Sequence, residues 1–161
     1  ALLINSAGVA DGGPTVEMSA KTFRKVLDTN VVGSFLCARE AFKQMKAAGG
    51  GRIINLGSIA AASPRPDAVA YTASKSAVDG LTRSLSLDGR PHNIAVGVVH
   101  PGNVRSDIMS KEEADRREKV EGLMRPEDVA ASVLMMATLP LAANVLEMTV
   151  LPSRQPLVGR G

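Results

Sequence analysis

Apolar residues in this chain fall into two kinds of stretch, short continuous blocks and longer segments in which they recur every third or fourth position, and the two kinds alternate. The blocks Leu2 to Asn5, Arg52 to Leu56, Ile94 to Val99 and Val145 to Leu151 predict strands. Two of them, around Ile53-Ile54 and Val96 to Val99, are almost unbroken in branched side chains, the pattern of a parallel strand covered on both faces. The first periodic segment carries Phe23, Val26, Leu27, Val31, Phe35, Ala38, Phe42 and Met45 on one stripe, which predicts a single helix capped by Ser19 and stopped by Gly49-Gly50-Gly51. A second helix is predicted from Tyr71 to Leu87, with Ala73, Ala77, Val78, Leu81 and Leu85 on its apolar side. A third opens on Pro126-Glu127-Asp128, with proline in the first turn and acids at the positive end of the helix, and it presents Val129, Val133, Leu134 and Ala137 for burial. Strands that alternate with helices predict an α/β fold, a parallel sheet with flanking helices.

Between these elements the pattern breaks. Gly8 to Met18 and Pro64-Arg65-Pro66 read as loops. From Val104 to Arg125 the apolar run is lost to Lys111, Glu112, Glu113, Asp115, Arg116, Arg117, Glu118, Lys119 and Glu121, the composition of a solvated, helix-rich lid. Residues 152–161 form a tail expected to be loosely ordered.

At 161 residues, with 45% hydrophobic and 22% charged, the chain can bury one core of ordinary size. A formal charge of +3 raises the question of nucleic acid, but no Trp, one Tyr and three Phe leave few platforms for stacking bases, and the basic residues are mixed with acids. A single cysteine, Cys37, excludes an intramolecular disulfide and reads as a reduced thiol in the core. No apolar stretch reaches membrane-spanning length. The expected setting is therefore cytoplasmic, with neither nucleic acid nor membrane as partner.

Candidate chemistry centres on Tyr71 and Lys75. Four residues apart on a helix, the phenol and the ammonium share a face. A cation about 4–6 Å from the phenol, at an effective dielectric of ~20, would favour phenolate by roughly 3–4 kcal/mol, enough to bring tyrosine toward general acid/base work at neutral pH. Ser58 follows the strand Arg52 to Leu56 at its carboxyl end, where open α/β sheets bind ligands, and its hydroxyl could hydrogen-bond the same substrate oxygen. Asn30 lies on the apolar stripe of the first helix, where a side-chain amide needs partners. Taken singly, Ser58 reads more often as a strand-end cap than as a catalyst, Asn30 as a satisfied core amide or a helix kink, and Tyr71 with Lys75 as a helical surface pair. His92 and His100 have no third ligand at metal-site spacing, so no metal is expected. Ser58 is not a hydrolase nucleophile, since it stands in no Gly-x-Ser-x-Gly turn.

Together, Ser58 and Tyr71-Thr72-Ala73-Ser74-Lys75 resemble the short-chain dehydrogenase/reductase family, and further segments agree in order. Asn5-Ser6-Ala7-Gly8 resembles the family's Asn-Asn-Ala-Gly turn, with Ser6 at the second Asn. Asn30-Val31-Val32-Gly33 resembles its helix segment, and Pro101-Gly102-Asn103-Val104-Arg105-Ser106 its Pro-Gly-x-Val-x-Thr loop, with Ser106 keeping the hydroxyl. The resemblance implies a Rossmann-like sheet and an oxidoreductase using NADP or NAD to interconvert an alcohol and a ketone or aldehyde. It implies Asn30, Ser58, Tyr71 and Lys75 as catalytic, with Asn30 holding a relay water. It implies Asn5, Ala7, Gly8, Tyr71, Lys75, Pro101, Gly102, Val104 and Ser106 as cofactor contacts. A small carbonyl or alcohol substrate and a homodimer or homotetramer are the implied partners.

No Gly-rich phosphate turn links a strand to a helix, because Gly12-Gly13-Pro14 follows the Asn-Ser-Ala-Gly turn and Gly49-Gly50-Gly51 precedes a strand. The expectation is a single partial Rossmann-type domain over 1–161, N-terminally truncated, with 104–125 as substrate lid. The alternative expectation is an inactive fragment that keeps only helix-mediated self-association.

Overall fold

The computed structural model describes residues 1–106 and 108–158, so residue 107 of the lid segment and 159–161 of the tail lie outside the described residues. Four strands, β1 (Leu2–Asn5), β2 (Gly51–Leu56), β3 (Ile94–Pro101) and β4 (Glu147–Val150), form one sheet in the order β1-β2-β3-β4. Every pairing is parallel, with Leu3 beside Ile53, Ile53 beside Val96 and Val99 beside Met148. Parallel neighbours need crossovers, and helices supply them. These are α1 (Ala20–Leu27) and α2 (Ser34–Ala47) after β1, α3 (Val69–Gly89) after β2, and α4 (Lys111–Val120) and α5 (Pro126–Thr138) after β3. No helix among the described residues is long and apolar enough to cross a membrane.

Alternation along the strands divides the core between the two faces of the sheet. Ile53 and Val96 meet Ala38 and Met45 of α2 and Leu85 of α3 on one face. On the other, Ile54 and Val99 meet Val129, Val133 and Met136 of α5. Ile53, Ile54, Val96 and Val99 each expose essentially no surface, and burial of such a side chain contributes about 1.5–3 kcal/mol.

The segment expected as one straight helix is two, joined by a π-helical stretch over Asp28–Gly33. The cap is as expected, with Ser19 Oγ accepting from the Thr22 N–H at 3.0 Å. The π stretch explains which residues end up inside. Val26, Asn30, Ser34 and Ala38 are buried, yet at about 100° per residue Val26 and Ala38 of an unbroken α-helix would point roughly 120° apart. One extra residue in a turn takes back about 100° and restores the shared face. The same rotation leaves Phe35 43% exposed and carries Cys37 to the surface, so the expectation of a core thiol is corrected. Past α2 the chain reverses through Gly49 at φ +78°, a conformation that favours glycine.

One further expectation is corrected by the same logic of facing. On α5, Val129, Val133 and Met136 point inward, and Leu134, one residue past Val133, is 62% exposed. The tail is anchored as far as it is described: Pro152 and Gln155 are buried, and Gln155 Oε1 accepts the Asn103 backbone N–H at 2.7 Å. Gln155 supplies the acceptor that a buried N–H requires.

Arg52, in the second position of β2, is only 3% exposed. Its guanidinium donates to the carbonyls of Leu139, Pro140 and Ala143 at 2.9–3.1 Å and to Asn144 Oδ1 at 3.2 Å. These oxygens lie just past the end of α5, where carbonyls lack helical partners and a cation is favourable. Burial lowers the Arg52 pKa from its ordinary value.

Candidate active site

The carboxyl ends of β2 and β3 open onto a cavity of about 830 Å³. Ser58, Tyr71, Lys75, Pro101, Gly102, Val104, Ser106 and Gly8 line it, so the structure brings together residues from four separate sequence segments. Asn5, Ala7 and Asn30 do not line it. Asn5 turns away: its Nδ2 donates to Asn55 Oδ1 at 2.9 Å and to the Ser34 carbonyl at 3.2 Å. Asn55 Nδ2 in turn donates to Thr82 Oγ1 at 2.9 Å, which ties β1 through β2 to α3.

Ser58 leaves β2 with extended backbone and caps a short 3-10 turn at Ile59–Ala61, its Oγ accepting from the Ala60 N–H at 3.1 Å. Capping uses an acceptor site of the hydroxyl and leaves its proton available. Ser58 and Tyr71 both line the cavity, and the Ser58 hydroxyl is near enough to the phenol to lower its pKa. Tyr71 lies in the first turn of α3, close to where the loop from Ser58 returns.

Lys75 is 6% exposed, and its Nζ donates to the Leu56 carbonyl at 2.7 Å. The ammonium stands 5.6 Å from the centre of the Tyr71 ring, over its face. Burial pulls its pKa down to about 8, with the Asp79 charge working in the opposite direction.

Tyr71 differs from the electrostatic expectation. Burial raises its pKa above the ordinary phenol value, opposed by the nearby Ser58 hydroxyl and by the Arg117 charge. Lys75 is directed at the strand-end carbonyl and the ring face. Desolvation of the phenol therefore outweighs the helical neighbour.

Asn30, 1% exposed, lies directly behind Gly8: a methyl group on Gly8 would stand 3.4 Å from Asn30 Oδ1 and 3.8 Å from Lys75 Nζ. Asn30 Oδ1 accepts the Val9 N–H at 2.8 Å, and its Nδ2 donates to the Val9 carbonyl and to Ser74 Oγ, both at 2.9 Å. Ser74 Oγ donates to the Tyr71 carbonyl at 2.7 Å. The amide thus clamps the loop after β1 to the first turn of α3, which answers why an asparagine lies on an apolar stripe.

Sequence reasoning missed Arg65, Asn103 and Arg117, all of which line the cavity. Asn103 is 4% exposed, and its Oδ1 accepts from Arg65 at 3.3 Å and Arg117 at 3.2 Å. Glu121 accepts from Asn103 Nδ2 at 2.8 Å and pairs with Arg65, while Arg117 pairs with Glu113. The network joins residues 103–121 to the loop after β2. The one available signal was a polar residue at the variable position of Pro101-Gly102-Asn103-Val104.

The family model for short chain dehydrogenases matches residues 1–117. An uncharacterized oxidoreductase, YohF, of Escherichia coli (strain K12) is 38% identical over 121 residues, covering 74% of this chain and 48% of its own. The 3-oxoacyl-[acyl-carrier-protein] reductase FabG of Rickettsia felis is 35% identical over 143 residues, covering 85% of this chain and 59% of its own. The chain thus spans about half of the curated relatives' length. A solved structure of ElxO with NADP bound matches with a TM-score of 0.82 at 25% identity, over 92% of this chain and 64% of that one.

Proposed function

The chain belongs to the short-chain dehydrogenase/reductase family, and from that premise we propose that it is an NAD(P)-dependent oxidoreductase interconverting a small alcohol with its ketone or aldehyde, Tyr71 acting as general acid/base. The observation that carries this reading is the convergence of Ser58, Tyr71 and a buried Lys75 on one cavity at the carboxyl ends of parallel strands.

The residues present fit the nicotinamide-ribose end of a dinucleotide. Lys75 uses one of its three N–H donors on the Leu56 carbonyl, which leaves donors within the cavity for ribose hydroxyls. Pro101, Gly102 and Val104 give that part of the cavity a largely apolar wall. When bound, the nicotinamide supplies or accepts the hydride, and the protein supplies position and electrostatics.

With its pKa raised by burial, Tyr71 is a protonated phenol at neutral pH, the form a general acid needs when a carbonyl oxygen gains charge. Ser58 holds that oxygen through its hydroxyl proton. The Arg117 charge stabilises the phenolate left behind. Asn30 positions the first turn of α3 through Ser74 and Val9, and one lone pair of its backbone carbonyl accepts from Ser34 Oγ at 2.9 Å. A carbonyl can accept two bonds, and we assign this one the relay water. Exposed Val32, Phe35 and Leu36, around the start of α2, support self-association into a homo-oligomer.

Fluorescence titration with NADPH and NADH tests the cofactor reading. Binding in the micromolar range is expected for at least one, and no binding to either would refute it. Tyr71→Phe is expected to lower kcat by about 10²–10⁴-fold with the fold intact by circular dichroism. Turnover within a few-fold of wild type would remove Tyr71 from the proton step.

A further inference from the structure

Behind Ser58 and Lys75 lies a pair of titratable side chains that the proposed reaction does not use. His100, on β3, and Asp79, one turn beyond Lys75 on α3, approach each other at 3.6 Å between Nε2 and Oδ1. Both are largely buried, with side chains 10% and 17% exposed. Asp79 Oδ1 has no hydrogen-bond partner, although it is shielded from solvent. A buried carboxylate oxygen without a donor is costly, and the nearest candidate donor is the imidazole facing it.

The other imidazole nitrogen points at the catalytic strand end. His100 Nδ1 lies 3.3 Å from the Ser58 carbonyl oxygen. The ring also packs flush on the peptide before it, since a Cβ at Gly57 would lie 2.5 Å from Nδ1 and 2.8 Å from Cε1. Position 57 thus requires glycine, and the backbone that carries Ser58 rests directly against the ring.

Proton bookkeeping follows from this arrangement. A carbonyl oxygen only accepts, so the contact with Ser58 requires the proton on Nδ1. Nε2 faces Asp79 at 3.6 Å, an ion-pair separation that a small approach would close either as an imidazolium N–H to a carboxylate or as a lone pair accepting from a carboxylic acid. Either way one proton lies between the two side chains.

We propose that Asp79 and His100 are positioning residues for the tetrad: the imidazole, held in its Nδ1–H form by a proton shared between Nε2 and Asp79, grips the Ser58 carbonyl and so fixes the Ser58 hydroxyl against Tyr71. The proposal rests on the oxidoreductase reading for its catalytic meaning but not for its geometry. The groups facing Asp79 are His100 from β3, Lys75 and Arg83 from α3 and Glu147 from β4. Burial and Glu147 raise its pKa, which favours keeping the shared proton, while His100, Arg83 and Lys75 oppose this. Asp79 also supports the charge on Lys75, so the pair acts on both Ser58 and Lys75.

The test begins with the protein as it exists. The chain has two histidines, so ¹⁵N-histidine labelling and long-range ¹H–¹⁵N correlation, with His92→Gln for assignment, report the tautomer of His100 at pH 8. A protonated Nδ1 is expected, and a bare Nδ1 with the proton on Nε2 alone would overturn the proposal without any appeal to activity. The second measurement compares Asp79→Leu with Asp79→Asn, whose amide can still donate to Nε2. Leucine is expected to lower kcat at least about tenfold with KM changed less than twofold, as a displaced catalytic group does, and asparagine to recover most of the loss. Equal loss in both variants, or none in either, would overturn it. Should the wild type show no turnover at all, the oxidoreductase reading fails, and the tautomer still decides this one.

Discussion

Lys75→Met isolates the energetic consequence of burying the ammonium. Moving the lysine pKa from 10.5 to about 8 means that folding disfavours the charged form by ~3 kcal/mol when the amine is fully protonated. Between those two values the unfolded chain binds more protons than the folded one, so this group makes stability rise with pH from about 8 to 10.5. Below that window the cost of the buried charge is present in full, and above it the cost disappears. Methionine has similar length and no charge, so the variant carries neither the cost nor the slope. It does lose the charge-assisted bond to the Leu56 carbonyl, worth about 1.5–3 kcal/mol, so the two proteins are expected to be of similar stability at pH 7. The informative quantity is the difference between them, in which other titrating groups cancel. Urea unfolding followed by far-UV circular dichroism at pH 7 and pH 10 should show wild type gaining ~2.5 kcal/mol relative to Lys75→Met. A difference that stays constant across that range would refute a depressed lysine, and with it the claim that the ammonium is held out of water beside Tyr71.

Two further outcomes test structural roles. Arg52→Met should destabilise the fold by about 2–4 kcal/mol in urea unfolding, because the carbonyls of Leu139, Pro140 and Ala143 lose their shared donor; a loss below about 0.5 kcal/mol, the range of an ordinary surface change, would show that water replaces the guanidinium there. Gln155→Leu leaves the buried Asn103 N–H without an acceptor and should cost about 1–3 kcal/mol, while hydrogen exchange quickens at Asn103 and Met124, whose N–H donates to the Asn103 carbonyl.

The chemistry-bearing motifs were legible in one dimension because each sits where the backbone alone determines its neighbourhood. Ser58 follows an unbroken apolar strand and therefore lies at a carboxyl end. Tyr71 and Lys75 are one helical turn apart. The Pro101-Gly102 turn ends a third strand. Periodicity and strand-helix alternation were likewise enough for the parallel α/β sheet, whose four strands match the apolar blocks to within two residues. Electrostatics was not legible. Helical spacing placed a cation beside a phenol, but whether the phenol feels that cation depends on how much water surrounds both, and burial raises Tyr71 while Lys75 turns to the Leu56 carbonyl.

What the sequence by itself determined, then, is the kind of fold and the order in which a serine, a tyrosine and a lysine reach one edge of it, because hydrogen-bond periodicity and side-chain alternation are local properties. Tertiary structure alone decided the facing of the helix carrying Asn30, where six π-helical residues turn Phe35 and Cys37 outward. It alone gave Asn103 the distant partners Arg65 and Gln155 and gave Arg52 the end of α5. It also set His100 and Asp79 behind Ser58. Desolvation and long-range hydrogen bonding depend on which surfaces meet, and for residues tens of positions apart only the folded chain determines that.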